Sequence, residues 1–244
     1  MNQHQTIGIF SSQWFIYTIP CITAIFVVIL LGKKFKETGK NFFRIGLGIV
    51  TLASVVLIHP YLMFIGEWSL QTSLPIHMCE LSEIFAAVAL IWQRQRLFEI
   101  LCYWGIPGGI HSILTPELLH SGENSWLTMH YYFQHTIIIL APIFLLVVSN
   151  MRLPDRSWIK AFLITNLCIP VIGTINWILG SNYMYLTEKP IANNPFLIGG
   201  WPWYIVVLDL VMLAHIYLVF IICTKKVNVF QSIAKNKITN YETD

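Results

Sequence analysis

Charge is what this chain has least of. Only 11% of its 244 residues are Asp, Glu, Lys or Arg, where a soluble domain carries roughly a quarter. With 56% hydrophobic residues and a mean hydropathy of +0.64, the composition excludes an ordinary soluble fold and makes a bilayer the solvent. No long basic run or finger-like motif is present, so the net charge of +3 is not a nucleic-acid footprint. The five cysteines, Cys21, Cys79, Cys102, Cys168 and Cys223, show no CxxC spacing. A disulfide framework and a structural zinc site are thereby excluded, and any thiol of interest is a lone one. Within the apolar segments HxxxH, HExxH and ExxH spacings are missing, so a metal site would need single ligands from several helices. No metal and no cofactor is assigned. No internal repeat is visible. The first apolar stretch has a neutral leader, with Lys33, Lys34 and Lys36 behind it and no A-x-A site, the reverse of a secretory signal.

What is present is a series of apolar segments, each near the roughly 20 residues that span a bilayer. They predict an all-α polytopic membrane protein with seven transmembrane helices, at about 14–31, 44–65, 74–92, 97–115, 129–150, 157–179 and 201–223. These form a single domain over 1–223, followed by a short polar cytoplasmic tail, 224–244, expected to fray. Basic residues give the direction. With the amino terminus outside and the carboxyl terminus inside, 14 of the 15 Lys and Arg fall on the inner side and only Lys189 outside, as the positive-inside bias requires. The outer side carries Glu67, Glu117, Glu123 and Glu188.

Carboxylates inside spans are costly, about 2.5 to 3.5 kcal/mol each on an insertion scale, and mark a bundle interior or a wet cavity. Glu80, Glu83, Glu99 and Asp209 are such groups; Glu99, near the inner end beside Arg96, is expected to snorkel or pair there. Up-and-down topology puts His59, His77, His111, His130 and His135 in the outer part of their helices, with Cys79 in the same layer. Asp209 and His215 lie on the last span, the latter past the midplane. One polar depth predicts an outward-opening cavity. On the third span Cys79 and Glu83 share a face, while Glu80 is turned by about 100°; on the fifth, Tyr131 shares the face of His135.

A thiol becomes a nucleophile as a thiolate, and an imidazole is the usual means of making one. Cys79 and His135 are the candidate catalytic pair, suited to acyl transfer, with Glu83 or Asp209 as a candidate orienting carboxylate. The bland alternatives are packing for a cysteine in an apolar helix and a helix-to-helix hydrogen bond for an intramembrane histidine. The other four cysteines take that packing reading outright. The same His and carboxylate layer also suits a non-enzymatic small-molecule or proton-coupled transporter or receptor, although the paired broken helices of such folds are missing. The segment from Ser181 to Trp203, rich in Asn, Pro, Gly and aromatics including Asn193, reads as an interfacial belt or as a lid over the cavity.

Four blocks, Leu74-Pro-Ile-His-Met-Cys79-Glu, Tyr132-Phe-Gln-His135, Asn182-Tyr-Met-Tyr-Leu186 and Gly200-Trp-Pro-Trp-Tyr204, occur in the order found in YwaF-type bacterial integral membrane proteins, and the chain resembles that family from about residue 40 to 223. The family is similar, more distantly, to a eukaryotic transmembrane acyltransferase that makes polyunsaturated ether phospholipids, and to the androgen-induced-protein type hydrolases of fatty acid esters of hydroxy fatty acids. The resemblance implies a cysteine and a histidine at Cys79 and His135. The hydrolase branch uses threonine as nucleophile, so Cys79 points to the acyltransferase side. It further implies a bacterial cytoplasmic membrane protein whose partners are membrane lipids. His77, Glu80, Glu83, His111, His130, Tyr131 and Asp209, with Asn182, Trp203 and Tyr204 from the blocks, are the candidate substrate-binding residues.

Overall fold

A computed structural model describes residues 5–118, 124–192 and 194–241, with side chains up to 224. Glu123, Asn193 and the side chains of Lys225, Lys226, Lys235 and Lys237, which enter the sequence reading, lie outside that description. Among the described residues seven α-helices follow one another: α1 (Ser12–Lys34), α2 (Glu37–Phe64), α3 (Met78–Trp92), α4 (Gln95–Leu114), α5 (Ser125–Val147), α6 (Ser157–Leu179) and α7 (Trp203–Tyr241). Six of them, all but α3, are long and apolar enough to cross a membrane. One antiparallel pair, β1 (Gln5–Thr6) with β2 (Glu117–Leu118), ties the segment before α1 to the segment after α4. It is a small addition to the all-α expectation.

Local chemistry sets the ends. Ser11 Oγ accepts from Trp14 N at 3.2 Å and starts α1, while Lys33 and Lys34 close it, each stabilising its own terminus. Asn124 Oδ1 accepts from Trp126 N and Leu127 N to start α5. Gly180, at φ 63°, ends α6 in the left-handed conformation that glycine adopts without strain.

The third helix corrects the sequence reading. It was expected from residue 74 but begins at Met78, because Pro75 has no N–H to donate and disfavours helix in the residue before it. His77 caps it, and Glu80 Oε2 returns to accept from His77 N at 3.1 Å. At 15 residues it is about 22 Å long, less than the roughly 30 Å of a hydrocarbon core. Its other end is held from outside. The Arg44 guanidinium, on α2, donates to Leu90 O and to Ile91 O, the latter at 3.0 Å, satisfying carbonyls that a helix end leaves unpaired. The last helix also differs, since its backbone continues to Tyr241 where a frayed tail was expected.

Burial divides the bundle. Of the most apolar stretch in each helix, 67% is buried in α5 and 50% in α4, against 17% in α1, α2 and α6 and 11% in α7. Glycines bring the central pair together: a Cβ at Gly105 would overlap Ile138 O, and one at Gly109 would lie 2.8 Å from His135 O. These two small residues a helical turn apart let the α4 and α5 backbones touch, as small-xxx-small surfaces do between membrane helices. The position of His135 is set by that contact.

Candidate functional site

At the end of the bundle where α3 begins, and where α2 and α4 end, is a cavity of about 290 Å³. Its walls come from α2, α3, α4 and α5, and its roof from Tyr185, Pro190, Ala192 and Asn194 of the segment between α6 and α7. That segment, read from the sequence as an interfacial belt or a lid, forms part of the cavity's lining. A backbone bond seats it, Ala192 N donating to Glu117 Oε2 at 2.8 Å, and Met184 N donates to His77 Nδ1 at 3.2 Å. Tyr185 is a donor in this roof: burial, and then the nearby Glu117 carboxylate, push its phenol well above the ordinary tyrosine range, so it keeps its proton.

Cys79 and His135 both line the cavity, as do His77, Glu80, Glu83, His111, His130 and Tyr131. The thiol and the imidazole share no hydrogen bond with each other. Cys79 Sγ is 3.9 Å from Ser112 Oγ, Tyr131 Oη donates to Ser112 O at 2.9 Å, and the Tyr131 and His135 rings are 4.1 Å apart by centroid. Ser112 and Tyr131 thus link the two through a chain of contacts. His135 Nδ1 is 2.7 Å from Tyr131 O. A carbonyl only accepts, so Nδ1 carries the hydrogen and the neutral ring keeps its lone pair on Nε2, the form of a general base.

A second group occupies the neighbouring wall. Gln134 Nε2 donates to Glu83 Oε2 at 3.0 Å, and Ser54 Oγ is 3.1 Å from His130 Nε2. Glu83 is only 2% exposed. His111, in the cavity lining, also meets His215 of α7, Nε2 to Nε2 at 3.2 Å. His59, with its Nδ1 accepting from Trp68 Nε1 at 3.3 Å, completes the histidine layer.

Four candidates stand elsewhere. Asp209 Oδ1 accepts from Asn166 Nδ2 at 3.1 Å on the α6 face of α7, so it does not orient His135. Asn182 folds its own loop, accepting from Thr187 N and Glu188 N. Trp203 is 68% exposed. Tyr204 is buried and donates to Tyr185 O at 2.7 Å, supporting the roof from behind. Glu99 has Gln95 Nε2 as its partner at 2.9 Å in place of Arg96. Among the described residues no three His, Cys, Asp or Glu side chains are grouped as a metal ion would need. Ser54, Ser112, Gln134, Glu117 and Tyr185 were not singled out as site residues by the sequence. Serine and glutamine in a helix carry little signal, and only the spacing of Gln134 four residues after His130 pointed to a shared face.

A family model described as the TMEM164 family matches residues 9–220. The chain belongs to the TMEM164 family. The match runs from the segment before α1 into α7 and so takes in the whole cavity. TMEM164 is a membrane protein family, in keeping with the six long apolar helices. No curated protein and no solved structure matches the chain.

Proposed function

We propose that this TMEM164-family protein is a membrane lipid acyltransferase or acyl hydrolase, in which Cys79 attacks an acyl ester and His135 acts as general base and then general acid. One observation carries the reading: a cysteine of α3 and a histidine of α5 line the same cavity, with the free lone pair of the histidine on Nε2. His135 takes the thiol proton, the thiolate forms a thioester with the acyl carbon, and the proton passes to the departing alkoxide. Apo sites often hold such pairs further apart than the reacting complex does, and Ser112 and Tyr131 are the groups a substrate would displace. The likeness to YwaF-type proteins and, beyond them, to the ether-phospholipid acyltransferase supports the same chemistry.

The membrane setting belongs to the proposal. α2 ends where α3 begins, so α3 with the segment before it completes a seventh crossing despite its length. The basic residues then put the amino terminus and the cavity on the outer side of a bacterial cytoplasmic membrane, with membrane lipids as the substrates. The rival transport reading needs a polar path from both sides. The cavity's lining belongs to one end of the bundle, and beyond it Ala86, Leu90, Phe98, Leu101 and Phe144 form apolar core, which favours a pocket over a path.

The test is covalent labelling with an acyl-mimetic thiol probe in native membranes. Cys79→Ala should lose the label and His135→Asn should slow it, while Cys21, Cys102, Cys168 and Cys223 remain as internal controls. Equal labelling of Cys79→Ala and the parent would sink the reading. Lipid profiles of cells with and without the protein would then identify donor and acceptor.

A further inference from the structure

The α5 helix shows the cavity two adjacent faces. Tyr131 donates to Ser112 O, on the residue beside Cys79 Sγ, and the His135 ring lies against Tyr131. His130 and Gln134, also one turn apart, face Ser54 of α2 and Glu83 of α3. The second group contains an anomaly. Glu83 is only 2% exposed, and its Oε1 has no hydrogen-bond partner, although an unpaired buried charge is among the costliest groups in a folded protein. Among the described residues no Lys or Arg lines the cavity to compensate it. The titratable groups that line the cavity with it are Cys79 and Glu80 on α3, His59 on α2, His111 on α4 and His130, Tyr131 and His135 on α5, with His77, Glu117 and Tyr185 from the adjoining segments. The Ser54 hydroxyl, bonded to His130, also faces the Glu83 carboxylate.

We propose that Glu83, Ser54 and His130 share one proton and form a second acid–base relay, separate from His135, which serves the alcohol or water that accepts the acyl group. The relay has two matched forms. In one, Glu83 is a carboxylic acid donating to Ser54 Oγ, and Ser54 donates to His130 Nε2. In the other, His130 Nε2 carries the proton and donates to Ser54 Oγ, and Ser54 donates to the carboxylate. Serine suits the middle place because a hydroxyl donates and accepts at once. Each form leaves the three groups with no orphan between them, and each keeps the net charge of the trio at zero. The relay thus accounts for a carboxylate without a cation, and Gln134 holds its other oxygen.

The inference rests on the acyl-Cys79 reading and assigns its second half-reaction. Cys79 and Glu83 lie one helical turn apart on the same face of α3. The hydroxyl oxygen of the acceptor attacks the thioester carbon, the carbon–sulfur bond breaks, and the electron pair leaves on the Cys79 thiolate. The hydroxyl proton passes to the ionised Glu83 and returns from Glu83 to the thiolate, while the proton already on His130 holds Glu83 ionised through Ser54 until the acceptor arrives. Nothing is oxidised or reduced and no proton is left over. His135 serves the donor half and Glu83 the acceptor half.

Two measurements test this. Infrared difference spectra across the range in which imidazole titrates should contain a protonated-carboxyl stretch that Glu83→Gln removes and Ser54→Ala shifts. A spectrum in which Glu83→Gln removes no such band, or in which Ser54→Ala leaves it in place, overturns the shared proton whether or not the protein transfers acyl groups. The second measurement uses the p-nitrophenyl ester of a medium-chain fatty acid, with 1-octanol or water as acceptor. In Glu83→Gln the initial burst of nitrophenol should persist while the following turnover falls by about 10²-fold, and in Ser54→Ala by about tenfold, the relay then lacking only its middle. His135→Asn should lose the burst. Turnover in Glu83→Gln equal to that of the parent overturns the second relay and leaves Cys79 as nucleophile; no burst in the parent overturns the acyl reading itself.

Discussion

The central helices α4 and α5 are the less apolar members of the bundle, with mean hydropathies of 1.2 and 1.5, against 2.4 for α1 and 2.7 for the spanning part of α7. Yet they are the more buried. In water the order would be reversed, because burial is what apolar side chains gain most from. In a bilayer the surroundings are as apolar as the core, so lipid-facing helices need only be apolar, and polar groups are affordable only where protein encloses them. Cys79, Glu83, Gln134 and His135 therefore collect on α3 and α5, and the outer surface of α1 and α6 is left to residues such as Phe26, Leu163 and Trp177, all strongly exposed.

The contrast is sharpest for one substitution made in both places. Gly105→Ala sets a methyl group on Ile138 O, so α4 and α5 must part; overpacking of a fixed contact costs about 3 kcal/mol, and His135, on the helix that moves, shifts with it. Loss of the monodisperse peak in detergent and of Cys79 labelling together are expected. At Gly173 of α6 a Cβ meets nothing within 4 Å, so Gly173→Ala should be neutral or stabilise by up to about 1 kcal/mol through helix propensity. Equal melting temperatures for the two variants would mean that α4 and α5 are not in backbone contact.

Arg44 joins the two regions, and its removal is the next largest effect. Arg44→Met keeps the apolar stem and strips the donors from Leu90 O and Ile91 O. Charged hydrogen bonds of this kind are worth about 1.5 to 3 kcal/mol. Hydrogen exchange should therefore rise at the Trp92 end of α3 before it rises in α5. Uniform exchange along both helices would show that α3 needs no anchor from α2.

Much of this arrangement was legible beforehand because depth is encoded by position along a span. Residues near the same end of alternating helices reach one level, which brought Cys79, His77, Glu83, His111, His130 and His135 to one cavity. Azimuth is not encoded in that way. Asp209 lies on the face of α7 turned to Asn166, which neither charge counting nor hydropathy could tell from a face turned to the cavity. The beginning of α3 was misread because hydropathy registers Leu74 and Ile76 as span, while the backbone responds to Pro75 and to the His77 cap. Ser54 and Ser112 escaped notice for a third reason: a hydroxyl in a helix usually bonds its own preceding turn, as Ser82 does with Met78 O, and only the packing of α2 on α5 and of α3 on α4 gives these two other partners.

The mildest test lies inside the central region, at Gly108. A Cβ there would be 3.7 Å from Cys79 Sγ, an ordinary van der Waals distance, so Gly108→Ala should fold as well as the parent. It differs from Gly105→Ala, three residues away on the same helix, in touching a side chain that has room rather than a carbonyl that has none. The added methyl narrows the approach to the sulfur and stands between the thiol and any acyl carbon arriving along α4. A roughly two- to fivefold slower labelling of Cys79, with an unchanged melting temperature, is the expected result, in line with a cost below about 1 kcal/mol. Unchanged labelling would mean that the acyl group comes to Cys79 from the α2 side, past Ser54 and Glu83, which the same variant in a lipid-analogue competition assay would then locate.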